Sequence, residues 1–377
     1  MTKKSEKLTR ALVLVGPPGD ESDIRYLTGF EAPDAVVCVV WRGRARLLVG
    51  DLEFGRARAV ARGTEVIATR DLGEAHGAKG PPAIARLMQR LGIRRADVSA
   101  RCPALRVRQL EAAGIDVRVL EGPAVPARAV KNADEIARLR RAQRAAIRAM
   151  RAAEGVLREA RIGRGGRLVH DGRALTAETV RAAIGRSLMA EEADCPEAIV
   201  AGGRDAVNPH ERGRGPLRAG EPIVVDIFPR RRIDRYCGDL TRTYVKGRPT
   251  ARAAAMYAAV HAAQRAALAL IRPGARAGDV HAAAAAELER RGFATRLAGD
   301  RREGFIHSTG HGIGLDVHED PGLRAGSTAR LRKGHVVTVE PGLYYEADGG
   351  VRIEDTVEVT ADGWRYLAAM EKRFEIS

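Results

Sequence analysis

The 377-residue sequence predicts an α/β domain over residues 1–128, followed by a larger domain of helices and acid-bearing strands over 129–377. Three observations carry this reading. At about 150 residues per domain the length suits two. Short apolar runs alternate with helical patterns through the first third of the chain. The composition then changes near residue 125, where the Pro-containing connector GPAVPARAVKNADE leads into a long helical pattern. An apolar content of 45% supplies a core and excludes a disordered chain.

The elements follow in order. The N-terminus, MTKKSEKLTR, is polar, and the apolar run Ala11 to Val15 is too short for a signal peptide. No stretch reaches the roughly 18 apolar residues of a membrane span, so a soluble cytoplasmic protein is expected. ALVLVG (11–16), AVVCVVW (35–41) and ARLLVGD (45–51) are apolar runs bounded by Gly, Pro and Asp, as buried strands are. A helix fits between Asp51 and Arg62, and another over 83–92, where Ile84, Leu87 and Leu91 share a face. Asn132 with Glu135 three residues on is a capping-box pattern opening a long helix. Ile136, Leu139, Ile147 and Met150 form its apolar stripe, and Arg141, Arg144, Arg148 and Arg151 its solvated face. The GRGG-containing stretch 163–175 reads as a loop, and it lacks the strand-to-helix setting of a phosphate cradle. Helices are expected at about 176–192, 251–272 and 280–291, with Thr250 and Asp279 as N-caps of the last two.

Charge and cysteine content narrow the function. Lys plus Arg number 64 against 48 Asp plus Glu, a net charge of +16. The arginines are dispersed rather than blocked, so nucleic-acid binding is the minority expectation. The four cysteines (Cys38, Cys102, Cys195, Cys237) form no C-x-x-C pair, which suits a reducing compartment and excludes a thiolate zinc site.

Chemistry concentrates between His210 and Glu354. PIVVDIF carries one acid, Asp226, inside a β-type run, and CGDLTRTYV carries another, Asp239. A buried acid needs a partner or a cation. Two strands of a hairpin would bring these carboxylates together, where they repel unless a metal lies between them. VVTVEPG adds Glu340 at a strand end. GGVRIEDTV adds Arg352 and Glu354 at i, i+2 on one strand face. Between the acidic pairs Asp226/Asp239 and Glu340/Glu354 lie His307, His311 and His318, a third of the nine histidines in the chain. An oxygen-rich donor set with one histidine favours a pair of divalent ions such as Mn²⁺. Two such ions about 3.5–4 Å apart suit hydrolysis of an amide or ester.

These segments resemble the pita-bread metallopeptidases, in the branch of Xaa-Pro dipeptidase (prolidase) and Xaa-Pro aminopeptidase (aminopeptidase P). IRYLTGF (24–30) resembles a motif of their creatinase-type N-terminal domain, and residues from about 129 onward resemble the catalytic domain. The resemblance implies an α+β pita-bread catalytic domain and a dinuclear metal-dependent Xaa-Pro peptidase. Its two ions are expected to be manganese, with cobalt, zinc or iron as alternatives. It further implies a short peptide substrate, no membrane partner and a homodimer. By the same resemblance Asp226 chelates one ion, His311 and Glu340 hold the other, and Asp239 and Glu354 bridge. His210, His318 and Glu340 are the implied catalytic residues, with Glu340 shuttling the proton. His307 and Arg352 line the substrate site, Arg352 also orienting a carboxylate.

Two features depart from the family pattern. Twelve residues rather than ten separate Asp226 from Asp239, and PRRRIDR fills the hairpin, where it is expected to reshape the pocket rim. The even insertion keeps strand parity. Second, the position where dipeptide-specific members carry a carboxylate-clamping Arg aligns with Gly322, with Arg324 two residues on. Three rival functions stay open: a metal-free creatinase-like amidinohydrolase, a nucleic-acid-binding module on the same fold, and a hydrolase of non-proline peptides or small amides.

Overall fold

The computed structural model describes residues 10–73 and 82–377, so the polar segment 1–9 lies outside it. The chain divides into two compact units, Met1–Arg128 and Ala129–Ser377.

The first unit is built on a six-stranded mixed sheet. Its order from one edge is Glu65–Ala68, Arg44–Val49, Val36–Trp41, Ala11–Gly16, Arg95–Val98, Asp116–Val119. The three strands expected from apolar runs are the central ones, because they are apolar on both faces and helices cover both. Asp51–Val60 and Ala83–Arg90 are helices, and Ile84 and Leu87 are buried under the sheet.

In the second unit two sheets, antiparallel but for one parallel edge strand, Glu375–Ile376, are each backed by a helix pair. The first sheet runs Ile199–Gly202, Ile223–Ile227, Leu240–Lys246, Glu375–Ile376. It packs on helices Ala133–Glu159 and Ala177–Ala190. The second runs Glu319–Leu323, Gly310–Gly312, Val336–Val339, Asp355–Val359, Trp364–Tyr366, and packs on Ala251–Ala269 and Ala277–Arg290. The long helix opens on the expected capping box, with Asn132 accepting from Glu135 N–H and Glu135 accepting from Asn132 N–H. Its apolar stripe is buried, and Arg141, Arg144, Arg148 and Arg151 are exposed. Thr250 caps its helix by accepting from Ala253 N–H.

Three local expectations need correction. The stretch 163–175 is no plain loop: Arg161–Ile162, Leu168–His170 and Arg173–Ala174 form a small three-stranded sheet, its turns made by glycines at positive φ. Asp279 is not the N-cap; the helix begins at Ala277, and Asp279 sits in its first turn, where a carboxylate favours the helix dipole. Arg352 and Glu354 do not share a strand. Arg352 ends Gly349–Arg352, and Ile353–Glu354 is a break before Asp355–Val359. The chain changes partner there, from Gly342–Tyr345 to Val336–Val339. Among the described residues no helix is long and apolar enough to cross a membrane.

Candidate active site

Register places the acids. Asp226 pairs with Thr241, so both lie on one sheet face, and Asp239 is two residues before Thr241 on that face. Glu340 follows the strand Val336–Val339 directly, and His311 is the middle residue of Gly310–Gly312. The glycines flanking His311 are required by close backbone approach. A Cβ on Gly310 would lie 2.0 Å from Thr338 O, and one on Gly312 would lie 2.3 Å from Asp320 O.

The five predicted ligand residues line one cavity of about 570 Å³, together with His210, His307, His318 and Arg352. Donor atoms of Asp239, His311 and Glu354 lie within 4.8 Å of one another. His311 Nε2 is 3.1 Å from Glu340 Oε1 and 3.7 Å from Asp239 Oδ2. Its Nδ1 is 3.1 Å from Gly312 O, a contact that fixes the Nδ1–H tautomer and turns Nε2 toward the acids. Asp226 receives Arg352 Nη2 at 2.8 Å on Oδ2, while its Oδ1 is buried without a hydrogen-bond partner among the described residues.

The electrostatics are those of a cation site. Burial, followed by the charges of Asp226 and Glu340, holds the Asp239 carboxyl well above its ordinary range. Burial and then Asp239 do the same to Glu354. Burial alone would raise Glu340, but the hydrogen bond and charge of His311 bring it down to about 2. For His311, burial opposes the proton, yet Glu340 and Glu354 push it up to about 9. A cation among these carboxylates would remove their mutual repulsion and take up the orphaned Asp226 oxygen. The residues present therefore fit a divalent metal centre.

Several supporting residues were not predicted. Thr338 is fully buried. Its hydroxyl accepts from His311 N–H at 3.1 Å and donates to Glu340 Oε1 at 3.0 Å, tying two predicted ligands together. Thr241 donates to Glu354 Oε2 at 2.9 Å. Gln143 clamps the Asp239 backbone, donating to its carbonyl at 2.7 Å and accepting from its N–H at 3.0 Å. Each threonine lies on a strand, two residues from an acid just beyond the strand end, a spacing the sequence displays. Gln143 left no such signal.

His307 lines the cavity with both ring nitrogens engaged. Nδ1 is 2.7 Å from Ser308 O and so carries the proton, and Nε2 accepts from Tyr344 OH at 2.9 Å. Tyr344 OH in turn accepts from Arg352 Nη1 at 2.7 Å. Burial pushes the His307 imidazole down to about 4, so it stays neutral. His318 is exposed, its ring edge-on to His311 at a centroid distance of 4.5 Å. Its loop is pinned by Lys131 Nζ on Glu319 at 2.9 Å, a pair almost wholly buried. Neither Gly322 nor Arg324 lines the cavity, and Arg324 is exposed. The Arg-rich hairpin also does not form the pocket wall. Arg230–Arg231 pairs with Ala193–Asp194, and Arg232 bonds Asp194 at 3.0 Å, because its guanidinium finds a carboxylate on the neighbouring strand.

Residues 137–361, more than half of the chain, match the profile of metallopeptidase family M24. The chain belongs to family M24. Its fold is the pita-bread fold of that family. Solved structures superpose along almost the whole chain. The dipeptidase PepE from Mycobacterium ulcerans has a TM-score of 0.81 at 29% identity, covering 99% of this chain and 94% of that one. The Xaa-Pro dipeptidase from Bacillus anthracis has a TM-score of 0.83 at 25% identity, covering 99% and 96%. Among curated relatives, the probable dipeptidase PepE of Mycobacterium tuberculosis is 42% identical over 192 residues, 48% of this chain and 49% of that protein. The Xaa-Pro dipeptidase of Pyrococcus furiosus is 34% identical over 177 residues, 47% and 48%. The chain thus spans about half the length of the curated relatives it matches.

Proposed function

We propose that this M24 chain is a dinuclear metallopeptidase that cleaves the bond between an N-terminal residue and a following proline, with dipeptides as the preferred substrates. The observation that carries the reading is the gathering of Asp226, Asp239, His311, Glu340 and Glu354 around one cavity. The dipeptidase names of the relatives support the substrate class.

In this reading the five residues hold two divalent cations, manganese first among the candidates. When bound, such a pair supplies Lewis-acid polarisation of the scissile carbonyl and lowers the pKa of the attacking water. The rest of the work falls to side chains. Glu340, aimed by the Thr338 hydroxyl, takes the water proton and passes it to the leaving nitrogen. His210 and His318, both lining the cavity, donate to the carbonyl oxygen as it gains charge. Arg352 holds Asp226 and, through Tyr344, the His307 ring, so that wall of the cavity keeps its shape through turnover.

The four cysteines of the sequence are free thiols, which supports a reducing, cytoplasmic setting. A homodimer is part of the proposal and is read out by light scattering. The deciding experiment combines metal analysis with a substrate panel: Xaa-Pro dipeptides, longer Xaa-Pro peptides and non-proline controls, each with Mn²⁺, Co²⁺ or Zn²⁺. Metal-dependent cleavage of Xaa-Pro dipeptides is expected. Cleavage confined to non-proline peptides would overturn the substrate assignment, and a sample that binds no metal would overturn the chemistry.

A further inference from the structure

Four of the residues lining the cavity, Asp226, Asp239, Glu340 and Glu354, are acids of the candidate metal centre. An anionic group on a substrate entering this cavity needs a cation held apart from them. Arg352 cannot serve. It is 3% exposed, and its guanidinium is spent on Asp226, Tyr344, Thr241 and Pro209 O. Among the described residues the other arginine lining the cavity is Arg212, two residues beyond His210.

Arg212 is mounted rigidly and offered to water. Its carbonyl accepts from Val200 N–H at 3.0 Å and from Arg181 Nη1 at 2.6 Å. Gly213, at φ +73°, packs so closely that a Cβ there would meet Val200 O at 2.0 Å. The turn is therefore fixed against the strand Ile199–Gly202. From this mount the side chain, 47% exposed, donates Nη2 to Pro196 O at 2.7 Å. It also places Nη1 3.4 Å from Glu197 Oε2. Glu197 lines the same cavity, and its side chain is 63% exposed. This is a loose pair in water, which a second carboxylate can replace at little cost.

We infer that Arg212 is the specificity residue that reads the free carboxylate of a short substrate, with Glu197 as the internal carboxylate that competes for it. The inference rests on the peptidase reading above and deepens it. A dipeptide carries its carboxylate two bonds from the scissile nitrogen, whereas a longer peptide or an amide carries a neutral carbonyl there. A guanidinium facing a carboxylate forms a charge-assisted, two-pronged pair that a neutral group cannot match.

The test compares a dipeptide acid (Ala-Pro) with its amide (Ala-Pro-NH₂) on the metal-loaded enzyme, for the wild type, Arg212→Gln, Arg212→Lys and Glu197→Gln. Both kcat/KM and calorimetric binding are measured. Arg212→Gln is expected to weaken use and binding of the acid by about 10- to 100-fold more than of the amide. Arg212→Lys should fall between, and Glu197→Gln should lower KM for the acid by about 2- to 5-fold, since it removes the competitor. These opposite signs would not arise from a structural defect. Equal losses on acid and amide in Arg212→Gln, or wild-type binding of the acid, would overturn the inference. A wild type that cleaves neither compound yet binds the acid through Arg212 would instead sink the peptidase reading and keep this one.

Discussion

Replacing Gly310 with alanine measures how tightly the histidine-bearing strand is held. The new Cβ would stand 2.0 Å from Thr338 O, 2.7 Å from Thr338 C and 2.9 Å from Thr338 Oγ1. Ordinary contact begins near 3.4 Å, so the two strands must part by about 1.4 Å. The obstacle is backbone, which cannot swing away as a long side chain can. Overpacking of this kind costs about 1–3 kcal/mol, and a backbone clash belongs at the upper end. At about 2–4 °C per kcal/mol for a unit of this size, the transition of the second unit should drop by roughly 6–12 °C. The displaced strand also carries Thr338, which ties His311 N–H to the Glu340 carboxylate. Affinity for Mn²⁺ should therefore fall by about 10- to 100-fold, as it does when a group supporting a metal ligand is lost. Gly322→Ala is the control. It lies on the neighbouring strand, and its nearest neighbours, at 3.7 Å or more, are atoms of the flexible Arg324 side chain, so stability should stay within about 0.5 kcal/mol. Differential scanning calorimetry and Mn²⁺ titration read both effects. A Gly310→Ala protein that melts and binds metal like the wild type would refute the packing argument.

Asp239→Asn should abolish peptide cleavage and lower metal content in elemental analysis; full activity would remove Asp239 from the site. Thr338→Val keeps the shape but loses both hydroxyl bonds, and should cost about 1–3 kcal/mol in thermal melts and weaken metal binding. Arg242 is 0% exposed; it bonds Asp355 Oδ1 at 2.8 Å and donates to the carbonyls of Thr241, Glu354, Met370 and Glu371. Arg242→Met should destabilise by about 3–5 kcal/mol in urea titrations, since it strips the pairing from Asp355 Oδ1 and leaves four carbonyls without their donor. Burial, with Lys131 and Arg332 nearby, pushes the His335 imidazole down to about 4 from its ordinary 6.5. The unfolded chain then takes up this proton first. Stability therefore falls, by at most about 3 kcal/mol, as pH drops from 6.5 toward 4, with no effect above that window. His335→Gln keeps an acceptor for Arg332 N–H and should flatten the slope in melts at pH 5 and 7.5; an unchanged slope would assign the acid sensitivity elsewhere.

The residues that sequence alone brought forward share one property: their signal is local. The central strands of the first unit are continuous apolar runs, and the capping box at Asn132 and Glu135 needs only neighbours three residues apart. The acids and His311 announce themselves because a carboxylate inside an apolar run, or a histidine between glycines, is costly without a purpose. Asp279 misled because a good capping residue in a first turn looks the same whether the helix starts at it or two residues earlier.

What the tertiary structure alone decided depends on pairs far apart in the chain. Gln143 meets Asp239 across 96 residues, and Thr241 meets Glu354 across 113. Arg352 was legible as a strand residue, but only the exchange of strand partners at Ile353–Glu354 shows it binding Asp226 while Glu354 turns toward Thr241. The cavity likewise draws Arg212 in and leaves out Arg324, which stands two residues beyond the position aligned with the family's clamp. Periodicity and capping are set by contacts within one or two turns of the backbone, so the chain displays them along its length. The partner of a buried polar group is set by which strands pack together, and that is fixed only when distant segments meet and each buried donor or acceptor must find its match.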